Sequence, residues 1–410
     1  MGNIEDLLRR YARFGAIVIL AMIAAVQVAI FAGVWGGLSP GGLINGVDFV
    51  AYYMAGVILD HHGGAHLYDL PLQKSLQAEL FPIMSQDSVA YYPYAPWLAV
   101  LIRPLAWLPY TTAFGVWLGL NLVLYVAAIR LAWGTQPALA GVDRTTTILV
   151  ALSWMPVLLW LLHAGQVNLP IFAVAAAAAC DRAGRPLWAG AALALATYKP
   201  TLLAPVLFML LVAGRWRLLA GFAAGSLGLL AIAWAGAGTA GLRGFVRTLK
   251  TLAQLRANHP EEFNYLAYCD PRSTLELLLG HHPAVSALAA ALMLVALAWL
   301  APKWWRAGRD WARRGESAWA QALVWLPLLV PHLAVYDTTP IVPGLVLALR
   351  ELDRSGRSAW PLAWPVGIVY FMGLISQDLA KGIGLQAITF ALLWLALRVT
   401  RMTGPDAEAR

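Results

Sequence analysis

Apolar residues run along this chain in long blocks, each closed by a short polar or basic stretch. The first block extends from about Phe14 to Trp35 and follows Arg9, Arg10 and Arg13. A helix needs about 20 apolar residues to cross the hydrocarbon of a bilayer, so blocks of that length read as transmembrane helices. On this pattern spans are predicted at about 14–36, 111–133, 146–163, 166–181, 186–198, 200–213, 216–236, 283–300, 319–336, 338–350, 360–377 and 380–398. Blocks 166–181, 186–198, 200–213 and 338–350 are short for a crossing and read as tilted, broken or longer than the pattern marks. The expectation is an all-α polytopic membrane protein, a single domain over 1–410 with about 12 transmembrane helices. The first block is long and lacks a convincing cleavage site, so it reads as a retained span rather than a signal peptide.

Two long segments separate the spans, 37–110 and 237–282. Within the first, 48–60 and 70–81 read as short amphipathic or interfacial helices. The apolar run 94–109 is only about 15 residues long and contains Pro104. It reads as a re-entrant or interfacial helix buried against protein, where irregular backbone is tolerated at membrane depth. The tail 402–410 is polar and reads as disordered.

Composition strengthens the membrane reading. Of 410 residues 60% are hydrophobic and 12% charged, against about 25% charged in soluble domains, and the mean hydropathy is +0.66. The net charge of +8 does not point to nucleic acid, because no basic and aromatic recognition module accompanies it. It is explained by topology: 20 of the 29 Lys and Arg fall in one alternating set of loops and nine in the other. The positive-inside bias then puts both termini in the cytoplasm and both long segments outside. Cys180 and Cys269 fall on opposite sides in this topology, which argues against a disulfide, and neither has metal-ligand spacing.

Polar residues at span ends gather on the outer face, as an active site at that interface requires. Asp48 opens a short helix; it can cap that helix, act as a general base toward a hydroxyl, or both. Lys199 precedes Pro200 between two short apolar runs, and is either a snorkelling lysine or a cation for a phosphate. His163, Gln166 and Asn168 lie in a tight turn, as caps or as sugar-binding groups. His332 ends an apolar span, and Asp337 follows Tyr336 in a pair that can simply cap the next helix. Arg103, Arg256 and Arg272 are candidate phosphate or carboxylate partners. His61, His62 and His66 lack the spacing and companion ligands of a zinc site, so no metal is assigned. No P-loop, dinucleotide fingerprint or nucleophile elbow is present.

Several stretches together resemble one family. They are Val47-Asp48-Phe49-x2-Tyr52-Tyr53-x-Ala55-Gly56 with Leu67-Tyr68-Asp69, then Tyr92-Pro93-Tyr94-Ala95-Pro96, Gly165-Gln166-Val167-Asn168, Lys199-Pro200, and Pro331-His332 with Tyr336-Asp337. In this order they resemble the motifs of glycosyltransferase family 87, of the GT-C superfamily, which includes mycobacterial mannosyltransferases that extend phosphatidylinositol mannosides. Ala95 stands where the family more usually has proline.

The resemblance implies a GT-C fold in the bacterial inner membrane and an inverting transfer at the periplasmic face. The donor would be a polyprenyl-phosphate hexose, mannose by analogy with those relatives, and the acceptor a lipid or glycan. Asp48 would match the catalytic acid of the first outer loop; Lys199 and His332 would match contacts to donor phosphate or sugar. Tyr52, Tyr92, Gln166, Asn168, His163, Arg103, Arg256 and Asp337 complete the expected substrate-binding set. A cationic protein site can take the place of a metal ion, so no cofactor is expected. The competing reading is a transporter or flippase of a lipid-linked sugar, using the same groups to carry a headgroup; the absence of an inverted repeat and the long, asymmetric outer segments argue against it. A third is a structural membrane subunit.

Overall fold

The computed structural model describes residues 2–31, 38–39, 43–44, 47–82, 84, 89–154, 156–157, 168–258 and 265–404. Sixteen α-helices carry this part of the chain. The only strands among the described residues are two antiparallel pairs of two residues each, β1 (Leu38–Ser39) with β2 (Leu43–Ile44) and β3 (Ala138–Leu139) with β4 (Val142–Asp143).

Among the described residues, four helices are long and apolar enough to cross a membrane: α5 (Tyr110–Trp133), α10 (Trp216–Asn258) over Trp216–Leu252, α12 (Pro283–Arg309) and α15 (Trp360–Ile383). The other blocks predicted as spans form shorter or displaced helices, or extend beyond the described residues, as 146–163 does. Blocks 186–198 and 200–213 are one interrupted unit. Helix α8 (Pro186–Ala194) passes into a 3-10 turn at Leu195–Tyr198, a second 3-10 turn follows at Pro200–Leu203, and α9 (Ala204–Val212) continues. Pro200 lacks an N–H and disfavours helical backbone at the residue before it. Lys199 accordingly takes φ −128°, ψ 76°.

Other boundaries move for identifiable reasons. The block 216–236 does not stop where the second long segment was expected to begin, because α10 continues to Asn258. Its one non-helical residue is Gly238 (φ 64°, ψ −178°), which kinks the helix close to that expected boundary. Helix α13 (Trp311–Leu329) starts well before 319, and α14 spans Ile341–Arg354. Helix α15 ends on left-handed Gly384 (φ 67°), and α16 (Ala387–Thr403) runs into the stretch expected to be a disordered tail. Helix α1 (Gly2–Phe31) includes the basic arm. Arg13 docks it onto α6 (Arg144–Leu152), donating to Thr146 Oγ1 at 2.5 Å and to Asp143 Oδ2 at 2.7 Å.

The core is organised around α13. Its residues Gly315–Leu329 are all buried, in contact with α7 (Leu169–Arg182), α9, α12, α14 and α16. A helix buried on every side belongs at such a centre. Beside it, α8 and α10 approach so closely that a Cβ on Gly190 would fall 2.0 Å from the Leu218 carbonyl oxygen. A Cβ on Gly221 would fall 2.2 Å from that of Leu187. Small residues one turn apart, here Gly221 and Gly225, are how membrane helices reach such contact.

A second apolar cluster caps one end of this bundle. It is built from α2 (Val47–His61), α4 (Pro96–Ile102), the N-terminal end of α5 and the middle of α10, around Phe49, Tyr52, Tyr92, Trp97 and Trp117. Helix α3 (Leu70–Leu80) packs outside it. This cap carries the candidate chemistry.

Candidate functional site

Asp48 is the second residue of α2 and lies in its first turn, where a carboxylate complements the positive end of the helix dipole. It is partly exposed. Tyr52 follows one turn later on the same face. Its ring is buried, stacked on Tyr94 at 5.0 Å and 13°, edge-on to Tyr92 at 6.0 Å, and 5.1 Å from Trp117. Burial, with the Tyr94 phenol beside it, pushes the Tyr52 phenol well above its ordinary range, so it stays neutral. Burial does the same to Tyr92.

The loop that presents Tyr92 and Tyr94 is held by α3. Gln73 and Gln77 are one turn apart and buried. Gln73 Oε1 accepts from the Tyr92 N–H at 3.0 Å while its Nε2 donates to Leu67 O at 2.8 Å. Gln77 Oε1 accepts from the Ala90 N–H at 2.8 Å. The Tyr68 hydroxyl donates to Tyr94 O at 2.6 Å, and that of Tyr92 to Ala95 O at 2.9 Å.

Lys199 enters from the break between α8 and α9. Its ammonium donates to both carboxylate oxygens of Asp337, at 2.6 and 2.5 Å, and lies 5.6 Å from the centre of the Tyr336 ring. Asp337 and Tyr336 belong to the 3-10 turn Val335–Thr338. The charge of Asp48 acts on the phenols of both Tyr52 and Tyr336, and Tyr336 is also within electrostatic reach of Tyr94 and Tyr268. Tyr198, next to Lys199, meets Tyr94 at 5.6 Å. Asp48, the tyrosines and the Lys199–Asp337 pair therefore form one continuous cluster.

The second long segment joins this cluster through a short antiparallel contact. Tyr268 bridges Ala334, and the Cys269 N–H donates to Leu333 O at 2.8 Å. Asp270 caps α11 (Pro271–Leu279) and also accepts from the Leu333 N–H at 3.0 Å. This fastening sets Arg272 Nη1 2.8 Å from His332 Nε2, with Arg272 Nε donating to Glu276 Oε1 at 2.7 Å. Arginine has only donors, so Nε2 accepts and the neutral His332 ring carries its proton on Nδ1. His332 has a left-handed backbone, φ 63°, uncommon for a residue with a side chain and frequent where loops hold functional groups.

Residues 92–331, more than half of the chain, match the family model of glycosyltransferase family 87. The chain belongs to glycosyltransferase family 87. No curated protein and no solved structure matches it. Within this family 87 member the matched stretch holds Tyr92, Tyr94, Lys199 and Arg272, whereas Asp48, Tyr52, His332 and Asp337 lie outside it.

The remaining expected site residues of this glycosyltransferase are placed elsewhere. Arg103 pairs with Asp60, which also accepts from Trp107 Nε1 at 2.6 Å. Asp60 is 12 residues along α2 from Asp48, about 18 Å at helical rise, so Arg103 fastens the far end of that helix. Asn168 is buried and tied to α5: its N–H donates to Asn121 Oδ1 at 2.7 Å and its Nδ2 to Asn121 O at 3.1 Å. His163, Gln166 and the Arg256 side chain lie outside the described residues. His66 Nδ1 faces Asp69 Oδ2 at 3.6 Å. Among the described residues no three His, Cys, Asp or Glu side chains are grouped to hold a metal ion.

Four contributors were not singled out by the sequence as site residues. Tyr94 and Tyr336 were visible only as members of motifs. Gln73 and Gln77 carried a signal in hindsight, two amides one turn apart on the apolar face of a short helix.

Proposed function

We propose that this glycosyltransferase moves a hexose, mannose in the first instance, from a polyprenyl-phosphate donor to a lipid or glycan hydroxyl at the periplasmic face of the bacterial inner membrane. The observation that carries the reading is the juxtaposition of a partly exposed carboxylate, Asp48, and an ammonium, Lys199, around Tyr336 in one tyrosine-lined cluster. A base and a cation in one neighbourhood are what displacement at an anomeric carbon needs. Asp48 accepts the proton of the attacking hydroxyl. The oxygen bonds to the anomeric carbon as the carbon–phosphate oxygen bond breaks on the opposite face, inverting the configuration. The bonding electrons leave on the lipid phosphate, and Lys199, with Arg272 and His332 nearby, stabilises that charge. The leaving group is already a stable phosphate anion, so the step needs neither a general acid nor a metal ion.

Transfer assays with synthetic polyprenyl-phosphate sugars and membrane lipid extracts test this. Wild type should turn over with such a donor alone, and Asp48→Asn should lower the rate by about 10²–10⁴ while keeping the wild-type melting profile. Turnover with a nucleotide sugar as the only donor, or a fully active Asp48→Asn variant, overturns it.

A further inference from the structure

Away from Asp48 and Lys199 the helices enclose a cavity of about 330 Å³ between α1, α6, α14, α15 and α16. This volume falls at the lower end of the range for small-molecule sites, about 300–1,000 Å³. Its walls are apolar, with Ala151, Val346, Ala363, Val366 and Leu395 among them. At its inner end the Tyr370 hydroxyl is already engaged, donating to Ser153 O at 3.0 Å and paired with Ser153 Oγ at 2.9 Å. That hydroxyl asks for no further partner, and the one unanswered polar group there among the described residues is a donor, the buried Trp154 Nε1–H.

The slot is elongated. It follows α15 from Trp360 to Tyr370 and α14 from Ile341 to Leu349, about 12–15 Å at helical rise. One leaflet of a bilayer has that depth, half of an about 30 Å hydrocarbon core. The polar end is basic. Arg9 lines it with Thr146, Thr147 and Ser358, and Arg144 and Arg357 stand beside these residues in the chain. It lies at the C-terminal end of α14, where the β3–β4 turn is tied down by the Ala140 N–H donating to Asp353 Oδ1 at 2.9 Å.

We infer that this slot is a binding site for one acyl chain of an anionic phospholipid, with the headgroup phosphate at Arg9. The orientation decides against the sugar donor as occupant. Ile341, at the inner end, is four residues from Asp337, so the basic mouth points away from the candidate site. A donor with its phosphate at Lys199 would bring a hydrocarbon tail to Arg9, not a charge. The bound lipid would join α1 to the bundle and wedge α14 against α15.

The test uses the full-length protein in detergent and native mass spectrometry, with added phosphatidylglycerol, phosphatidylcholine or polyprenyl phosphate. Wild type should retain one phosphatidylglycerol, preferred over phosphatidylcholine by about fivefold, the weight of one basic side chain against an anionic lipid. Ala363→Trp, which fills the slot, should abolish retention; Arg9→Gln should keep binding and lose the headgroup preference. The Arg9 variant leaves the slot walls intact, so it carries the test should the tryptophan variant fail to fold. Equal retention of the two phospholipids by wild type, unchanged retention by Ala363→Trp, or displacement of phosphatidylglycerol by polyprenyl phosphate overturns the assignment.

Discussion

Replacing Lys199 with methionine removes two charge-assisted bonds, 2.6 and 2.5 Å long, that its ammonium gives to Asp337. The two side chains keep 20% and 11% of their surface open, so the pair sits between two regimes. Exposed ion pairs contribute about 0–1 kcal/mol. Removing one partner from a fully buried pair costs about 3–5 kcal/mol, chiefly because the other charge is stranded. For this partly screened pair the expected loss is about 2 kcal/mol for Lys199→Met and a similar amount for Asp337→Leu. The double variant strands no charge, so its loss should fall short of the sum by about 1–2 kcal/mol. Equilibrium unfolding of the four proteins in detergent closes the cycle, and transfer assays run on the same samples. If Lys199 receives the leaving phosphate, the double variant is stable and inactive. A coupling below about 0.5 kcal/mol would refute the structural part of this reasoning, and wild-type turnover in the double variant would refute the catalytic part.

Three further outcomes follow from other parts of the molecule. Gly221→Leu should sharply lower the yield of folded protein, because a Cβ there meets the Leu187 carbonyl oxygen at 2.2 Å, whereas Gly228→Leu on the same helix, with open space around it, should express normally by size-exclusion chromatography. Gln73→Leu should leave the fold in place but cut transfer activity, since the Tyr92 N–H and the Leu67 carbonyl each lose a buried partner, at about 1–3 kcal/mol of local cost. Asp143 is opposed by burial, yet bonds from Thr146 and Arg13 hold its carboxyl down at about 2. A depressed folded value stabilises the protein above the unfolded range near 3.9 and is lost as pH falls toward 2, so the melting difference between wild type and Asp143→Asn should be full at pH 5 and vanish near pH 2.

The apolar blocks were enough to reveal a helical membrane protein, because burial in lipid requires long runs without charge. They marked α5 and α15 closely. They were less informative where backbone chemistry overrides hydropathy. Pro200 divides one apolar stretch into two short helices, and Gly238 bends α10 without ending it. Buried helices such as α13 are also hard to delimit, because neighbouring helices, not lipid, cover them, and polar Glu316 and Gln321 can lie inside. Motif spacing singled out Lys199, Asp337 and Asp48 separately as candidates. It carried no sign that the first two neutralise each other, since 138 residues separate them.

That pairing bears on how the site handles charge. A lysine held by a carboxylate contributes no net positive charge, yet under the proposed reaction the departing lipid phosphate would bring negative charge to the same place. The neighbouring 330–338 loop meets a second cation: it carries His332 on the Arg272 guanidinium as well as Asp337 on the Lys199 ammonium. Arg272 is itself countered by Glu276 at 2.7 Å, so each cation is stabilised by its own carboxylate before any ligand arrives. Preorganised cations of this kind can turn a donor hydrogen toward phosphate without gathering new groups from solvent. The carboxylates keep them fixed, and the backbone contact between Cys269 and Leu333 keeps the two pairs in register. Under the proposed reaction the Tyr268–Ala334 bridge would help position the two cations, although neither residue carries a charge.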